Sequence, residues 1–259
     1  MPLAEIRRQA GDLNGRGFRE IVVTGIEIAS YGKDLRDGSG LADAVCAAAG
    51  NAPDARIRLG SLEPTVVTED FCRRLADCGN ICAHFHLSMQ SGCDSVLAAM
   101  HRKYDTARFM QSVELLSAYF PGCGLTADMI CGFPGETESE HERSLSFIRR
   151  CGFSAMHVFP YSPRPGTKAA ALPGQLTHAE KDARAHSAQL VAEEMQLGFL
   201  RAQIGRTLPV LFETETDGLW HGHADNYCEV CAEGSEMRGI VRNVSITGLE
   251  DKKLIGNVI

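Results

Sequence analysis

Apolar and polar positions repeat along this chain with two different periods, and the change of period divides it. At 2–15, Leu3, Ile6, Ala10 and Leu13 fall on one helical face, with Arg7 and Arg8 off it. Asn14-Gly15-Arg16-Gly17 then supplies turn chemistry. Residues 20–25 form a short β-branched run of the kind buried in parallel sheets. The alternation continues with helices at 41–49, from Thr68, at 106–120, 138–151 and 177–203. Between them lie strands at 55–59, 84–89, 125–131 and 155–161. Such alternation predicts an α/β fold of parallel strands joined by right-handed helical crossovers. A closed barrel of this type opens on a strand, whereas this chain opens on a helix. The pattern therefore predicts a partial barrel lacking its first strand, with one exposed edge and marginal stability unless an N-terminal fragment covers it.

From Arg206 the period shortens. Runs at 208–213, 218–222, 227–230, 238–246 and 254–259 are split by Gly and Asn/Asp turns. They predict a small antiparallel β-barrel, so residues 1–205 and 206–259 form two domains.

Hydrophobic content of 44% and charged content of 23% permit an ordinary core without disulfides. No apolar run suggests a membrane span or signal peptide, so a cytoplasmic location with no membrane partner is expected. Ten scattered cysteines read as free thiols of a reducing compartment. The net charge of −7 argues against a surface that is nucleic-acid footprint throughout, yet leaves room for a local basic groove.

Chemistry in such folds gathers at the C-terminal ends of the strands. Those ends here read Thr24-Gly25-Ile26-Glu27, Gly60-Ser61-Leu62-Glu63-Pro64, Ser88-Met89-Gln90-Ser91, Asp128-Met129-Ile130-Cys131-Gly132-Phe133-Pro134-Gly135 and Tyr161-Ser162-Pro163-Arg164. Glycines let a ligand approach backbone amides, and carboxylates accept from ribose hydroxyls or an amino group. His84, His86 and His157, single histidines on strands, read as packing residues.

The runs RLGSLEP, FHLSMQSG, DMICGFPGET and HVFPYSPRPGT, with IVVTGIEIASYGKDL and GLWHGHADNY, resemble radical S-adenosylmethionine (SAM) methylthiotransferases over essentially the whole chain. The branch most resembled adds a methylthio group to N6-threonylcarbamoyladenosine beside the tRNA anticodon. The resemblance implies a terminal TRAM domain that binds RNA, with tRNA as partner and SAM and [4Fe–4S] clusters as cofactors. It also implies a SAM site formed by Thr24, Gly25 and Glu27, by Ser61 and Glu63, by Gln90 and Ser91, and by Asp128 with Gly132, Phe133, Pro134 and Gly135. A stacking and phosphate-contact patch would use Trp220, His223, Tyr227, Arg238 and Arg242. Against that patch, the terminal segment holds five Lys/Arg and nine Asp/Glu.

The family's cluster needs Cys-x3-Cys-x2-Cys on one loop. Cys78 and Cys82 supply half of that spacing, but Phe85 stands at the third position. The ligands are thus expected outside this chain, which alone is expected to be inactive and to need the missing N-terminal part or a sulfur donor. Cys228 and Cys231 are spaced like half of a zinc site without a second pair, so no metal ligands are expected. Alternative readings are a non-catalytic tRNA-binding protein, or a methylthiotransferase for isopentenyladenosine tRNA or a ribosomal protein.

Overall fold

The computed structural model describes residues 1–35 and 37–259. Its first part alternates α1 (Leu3–Gly15), β1 (Glu20–Val23), α2 (Leu41–Asn51), β2 (Arg56–Leu59), α3 (Glu69–Asp77), β3 (His84–Gln90), α4 (Asp94–Ala99), α5 (Thr106–Tyr119), β4 (Gly124–Cys131), α6 (Glu138–Cys151), β5 (Ala155–Pro160) and α7 (His178–Arg201). The long helices start where the chemistry dictates. Thr68, Thr137 and Thr177 each accept an N–H of the first turn, and Glu140 and Glu180 complete capping boxes. α6 stops at Gly152, whose φ of 65° is left-handed. The six-residue α4 had no signal in the apolar periodicity, being too short to show one.

All five strands are parallel. β1 pairs with β2, and β3, β4 and β5 pair in order. Between β2 and β3 the ladder narrows to two bridges, Ile57 with Ile81 and Leu62 with Leu87. Alternation then sorts the side chains. Ile57, Leu59, Phe85, Leu87, Met89, Ala127 and Met129 face the helices and form the main core with Phe109, Leu116 and Phe153. The opposite parity puts Glu20, Arg56, Arg58, His84, His86, Thr126, Asp128 and His157 on an inner face. A sheet of this kind is ordinarily apolar on both faces. The polar inner face marks the surface that does something other than pack.

On its outer side β1 has no strand partner among the described residues. Val22 is 52% exposed on the same face as Glu20, and Ile26, past the end of the strand, is fully exposed. A cavity of about 600 Å³ separates α1 from the sheet, lined by Ile6, Ala10, Leu13, Ile21 and Val23.

α7 ends at Arg201, and a small closed barrel begins at Thr207, on either side of Gly205 with its φ of 87°. It consists of β6 (Thr207–Thr216), β7 (Leu219–Ala224), β8 (Glu229–Ala232), β9 (Val241–Glu250) and β10 (Lys253–Val258), closed in the order β10-β8-β7-β6-β9. It differs from the antiparallel expectation in one pair, because β10 runs parallel to β8. The chain returns to the far side of β8 through the β9–β10 hairpin, and this reverses the sense of that last seam. Its core is Leu208, Val210, Phe212, Trp220, Val230, Val244, Ile246 and Leu254.

Candidate functional site

The inner face has two ends with different chemistry. At its N-terminal end, Arg56 and Arg58 both reach Glu20. Arg56 Nε lies 2.6 Å from Oε2, and Arg58 Nε lies 2.8 Å from Oε1. The same guanidiniums donate into the small barrel, Arg56 to the carbonyls of Pro209 and His223 and Arg58 to those of Ala224 and Asp225. Burial works against the Glu20 carboxylate, but the two guanidiniums outweigh it and hold its pKa below the usual carboxylate range. Tyr227 lies between the His84 and His223 rings, at 4.6 and 5.0 Å between centroids, and the Arg58 guanidinium is 4.8 Å from its ring. Burial first, with Arg58 next, lowers the His84 pKa to about 3, so its ring is neutral. This end is closed by the small barrel.

At the C-terminal end the inner face opens. His86 is held by Thr126 Oγ1, 2.9 Å from Nδ1, and stands 3.3 Å from Asp128 Oδ2. Beyond it lies a cavity of about 540 Å³ lined by Gln90, Asp128, Ile130, Phe159, Tyr161 and Arg164. Gln90 occupies a left-handed conformation at φ 69°, where the β3–β4 register shifts. A non-glycine residue in that region carries local strain of the sort found at binding sites. Tyr104 steadies the turn, its hydroxyl reaching the carbonyls of Ser88 and Met89.

The SAM-site residues expected from the sequence separate in the structure. Gln90 and Asp128 line the open cavity together. Thr24, Gly25 and Glu27 line the mouth of the other large cavity, beside β1. Gly60 approaches Thr24 so closely that a Cβ would meet Thr24 Oγ1 at 2.6 Å, which brings the first two strand ends together. Ser61 is exposed and Glu63 half-buried, and the Glu63 carboxylate accepts from Thr65 Oγ1 at 3.2 Å. Ser91 turns away from the inner face and is buried against Ser144 of α6, 3.4 Å away. The Gly132–Gly135 loop faces α7 instead of the open cavity. Gly132 donates to Glu136 Oε2 at 2.7 Å, and Arg184 binds the same oxygen at 3.0 Å. A Cβ at Gly132 would strike Lys181 Cγ at 2.7 Å, and Gly135 donates to the Gly174 carbonyl. Phe133 packs edge-on against Tyr161, and Pro134 is buried. Burial raises the Glu136 pKa despite its Gly132 and Arg184 partners.

The residues expected to contact RNA also divide. Trp220 is 5% exposed and fills the small-barrel core, so it presents no stacking surface. The reason is strand parity, since Trp220, Gly222 and Ala224 point inward along β7. His223, Tyr227 and Arg238 line a cavity of about 490 Å³ at the junction, together with Phe18, Arg19 and Arg56. Arg242 is exposed on β9. Arg56, Arg58 and Glu20 were missed as functional candidates. Charges alternating with Ile57 and Leu59 inside a core strand were the available signal.

Among the described residues the cysteines do not fit a cubane cluster. Cys78 meets Cys46 at 3.2 Å between sulfurs on the outer helices, while Cys82 is buried at the closed end of the sheet beside Glu20. The only described grouping of three His, Cys, Asp or Glu donors contains one cysteine, Cys231.

A parallel sheet whose strand ends open into cavities edged by polar side chains is the architecture on which radical SAM chemistry is built. Residues 1–148 match the model of the radical SAM superfamily, and the chain belongs to that superfamily, whose members use SAM and a [4Fe–4S] cluster. Among curated relatives, the threonylcarbamoyladenosine tRNA methylthiotransferase MtaB of Thermotoga maritima is 31% identical over 98% of this chain and 58% of its own length. The Bacillus subtilis protein of the same name is 34% identical over 93% and 55%. The tRNA-2-methylthio-N(6)-dimethylallyladenosine synthase of Oleidesulfovibrio alaskensis is 39% identical over 96% and 56%. The chain thus spans little more than half the length of these relatives. In fold it is similar to coproporphyrinogen III oxidase (HemN) of Escherichia coli, with TM-score 0.51 and 17% identity over 78% of this chain and 45% of that one. No helix of the described residues is long and apolar enough to cross a membrane.

Proposed function

We propose that this chain is the SAM- and tRNA-facing part of a tRNA methylthiotransferase whose substrate is N6-threonylcarbamoyladenosine next to the anticodon. The observation that carries this reading is its similarity, across 93–98% of its length, to two threonylcarbamoyladenosine tRNA methylthiotransferases. SAM, when bound, supplies the methyl group and the adenosyl group that the chemistry consumes. In this reading Thr24, Gly25 and Glu27 hold its methionine end, while Ser61 and Glu63 accept from its amino group and ribose hydroxyls. Asp128 and Gln90 line the space beside the adenosine, with His86 orienting the Asp128 carboxylate. The Gly132–Gly135 loop acts indirectly, by fixing the end of β4 against α7.

Three cysteines for the cluster come, in this reading, from a segment not contained in this chain, and the chain alone does not turn over. The open edge of β1 and the cavity under α1 support it, because a further parallel strand there would pair with β1 and fill the gap. The small barrel acts as a TRAM-type module, with Arg238, Tyr227 and His223 on the junction cavity and Arg242 on the outer strand contacting RNA. The setting is cytoplasmic.

A second reading, dimethylallyladenosine as substrate, is favoured by the 39% identity to the Oleidesulfovibrio alaskensis synthase. The deciding experiment is anaerobic cluster reconstitution of this chain alone and of a form extended upstream, followed by mass spectrometry of nucleosides from tRNA carrying each modification. Methylthiolated threonylcarbamoyladenosine from the extended form alone is the expected result. Methylthiolated dimethylallyladenosine supports the second reading. Cluster assembly and turnover by the short chain would refute the proposed division of labour.

A further inference from the structure

One group of donor side chains lies outside both ends of the inner face. β7 and β8 run antiparallel, with His221 directly opposite Cys231 and His223 opposite Glu229. Trp220 and Val230 point into the small barrel, and the other parity gathers His221, Glu229 and Cys231 on its outer surface. His221 Nδ1 lies 3.2 Å from Cys231 Sγ and 3.5 Å from Glu229 Oε1. All three donor atoms fall within 4.8 Å of one another. A tetrahedral zinc ion, with bonds of about 2.0–2.3 Å, keeps its donors roughly 3.3–3.7 Å apart. The trio therefore approaches zinc geometry with small side-chain rotations and no backbone movement.

The donor types narrow the ligand. A thiolate, an imidazole and one carboxylate suit a borderline-soft transition metal, whereas calcium and magnesium require oxygen cages. Cys231 is only 3% exposed although it sits on the outward parity, so the sulfur is sheltered from bulk solvent. The Cys228-x2-Cys231 spacing is not what builds the group, since Cys228 turns into the barrel core. Lys253 Nζ stands 2.7 Å from Glu229 Oε1 and supplies positive charge at the spot a cation would take.

We propose that His221, Glu229 and Cys231 form a three-donor site for a zinc-type divalent cation on the outer face of the small barrel, with the fourth position left to water. On binding, the Cys231 thiol gives up its proton to solvent and its sulfur bonds the metal. Lys253 remains protonated and swings away from Glu229. The bound ion would pin β7 to β8 at the seam that carries both histidines.

The test is titration of the full chain with cobalt(II), without oxygen, as a spectroscopic stand-in for zinc. A thiolate-to-cobalt charge-transfer band in the near ultraviolet, with visible bands of tetrahedral cobalt, is expected near one equivalent. Cys231→Ser should abolish the charge-transfer band, and His221→Ala should weaken binding about tenfold or more. Lys253→Met should tighten it several-fold by removing the competing ammonium, a gain that misfolding cannot produce. A wild-type chain without the band overturns the site, as does a Cys231→Ser variant that keeps it or a Lys253→Met variant that binds no tighter.

Discussion

The two ends of the inner face are made from the same strands and have opposite characters. At the N-terminal end Glu20 is matched by two guanidiniums and the guanidiniums by four carbonyls of the small barrel. At the C-terminal end Thr24, Ser61 and Glu27 are exposed, Glu63 holds only Thr65, and Gln90 sits strained beside a cavity. Polar groups paired within the protein stabilise a fold, whereas exposed ones held only by water are free to take a ligand. The contrast agrees with the rule that one end of a parallel barrel is for stability and the other for chemistry.

The sharpest way to break the contrast is to open the closed end. Arg58→Ala strips Glu20 of a buried partner and removes the donors that reach the Asp225 and Ala224 carbonyls, leaving Ala224 only the Tyr227 N–H. A loss of about 3–5 kcal/mol is expected from urea unfolding, as for other broken buried ion pairs. An unchanged midpoint would mean the junction does not hold the domains together.

Glycine replacements compare the ends directly. A Cβ on Gly124 would lie 2.2 Å from the Asn226 backbone oxygen, while one on Gly60 would meet mainly the Thr24 side chain, at 2.6 Å. Gly124→Ala should cost about 1–3 kcal/mol by forcing the two barrels apart, as other overpacked sites do. Gly60→Ala should cost less in thermal unfolding, because Thr24 can rotate away.

Acidity probes the closed end more gently. The folded protein keeps His84 neutral down to about pH 3, while the unfolded chain takes up its proton near 6.5. That stability is complete above pH 6.5 and is lost as pH falls toward 3. The Glu20 share has the carboxylate sign. It is present above the ordinary value of 4.5 and lost as pH falls through the lowered one. In His84→Phe the fall in urea midpoint between pH 6.5 and 4.5 should be shallower than in the parent chain.

At the open end the stability effect should be smallest and the binding effect clear. Glu63→Ala should shift unfolding by no more than about 0.5 kcal/mol, because its carboxylate holds only the Thr65 hydroxyl. In the extended, cluster-loaded form, SAM affinity should drop about tenfold, the value of one charge-assisted hydrogen bond. Unaltered affinity there would remove Glu63 from the site.

Most of the fold was legible in the sequence because its long helices carry strong caps and each core strand carries one buried apolar face. Thr137 with Glu140 and Thr177 with Glu180 announce α6 and α7 before any packing is considered. What escaped depends on which way a side chain points. Trp220 read as a stacking surface, but inward parity in a closed barrel buries it. Ser91 stood next to Gln90 in the sequence and ended buried against α6, because the left-handed turn at Gln90 ends β3 and redirects the chain. Arg56 and Arg58 were hidden for another reason. Their small-barrel partners lie more than 150 residues away in the chain, and no local pattern records such a contact.

α7 gives the molecule a second dimension of control. Its 24 residues make a rod of roughly 36 Å at 1.5 Å per residue. Near one end Arg184 is locked to Glu136, Ala188 and Val191 sit in the main core, and at the other end Leu200 sits in the small-barrel core. With the Arg56–Arg58 contacts as the second attachment, the two barrels are braced like two sides of a truss. One residue inserted in the middle of the rod would turn one end by about 100° against the other. The helix would then demand an orientation that the arginine contacts forbid. Its length is therefore a gauge that sets how far, and at what angle, the small barrel stands from the open strand ends.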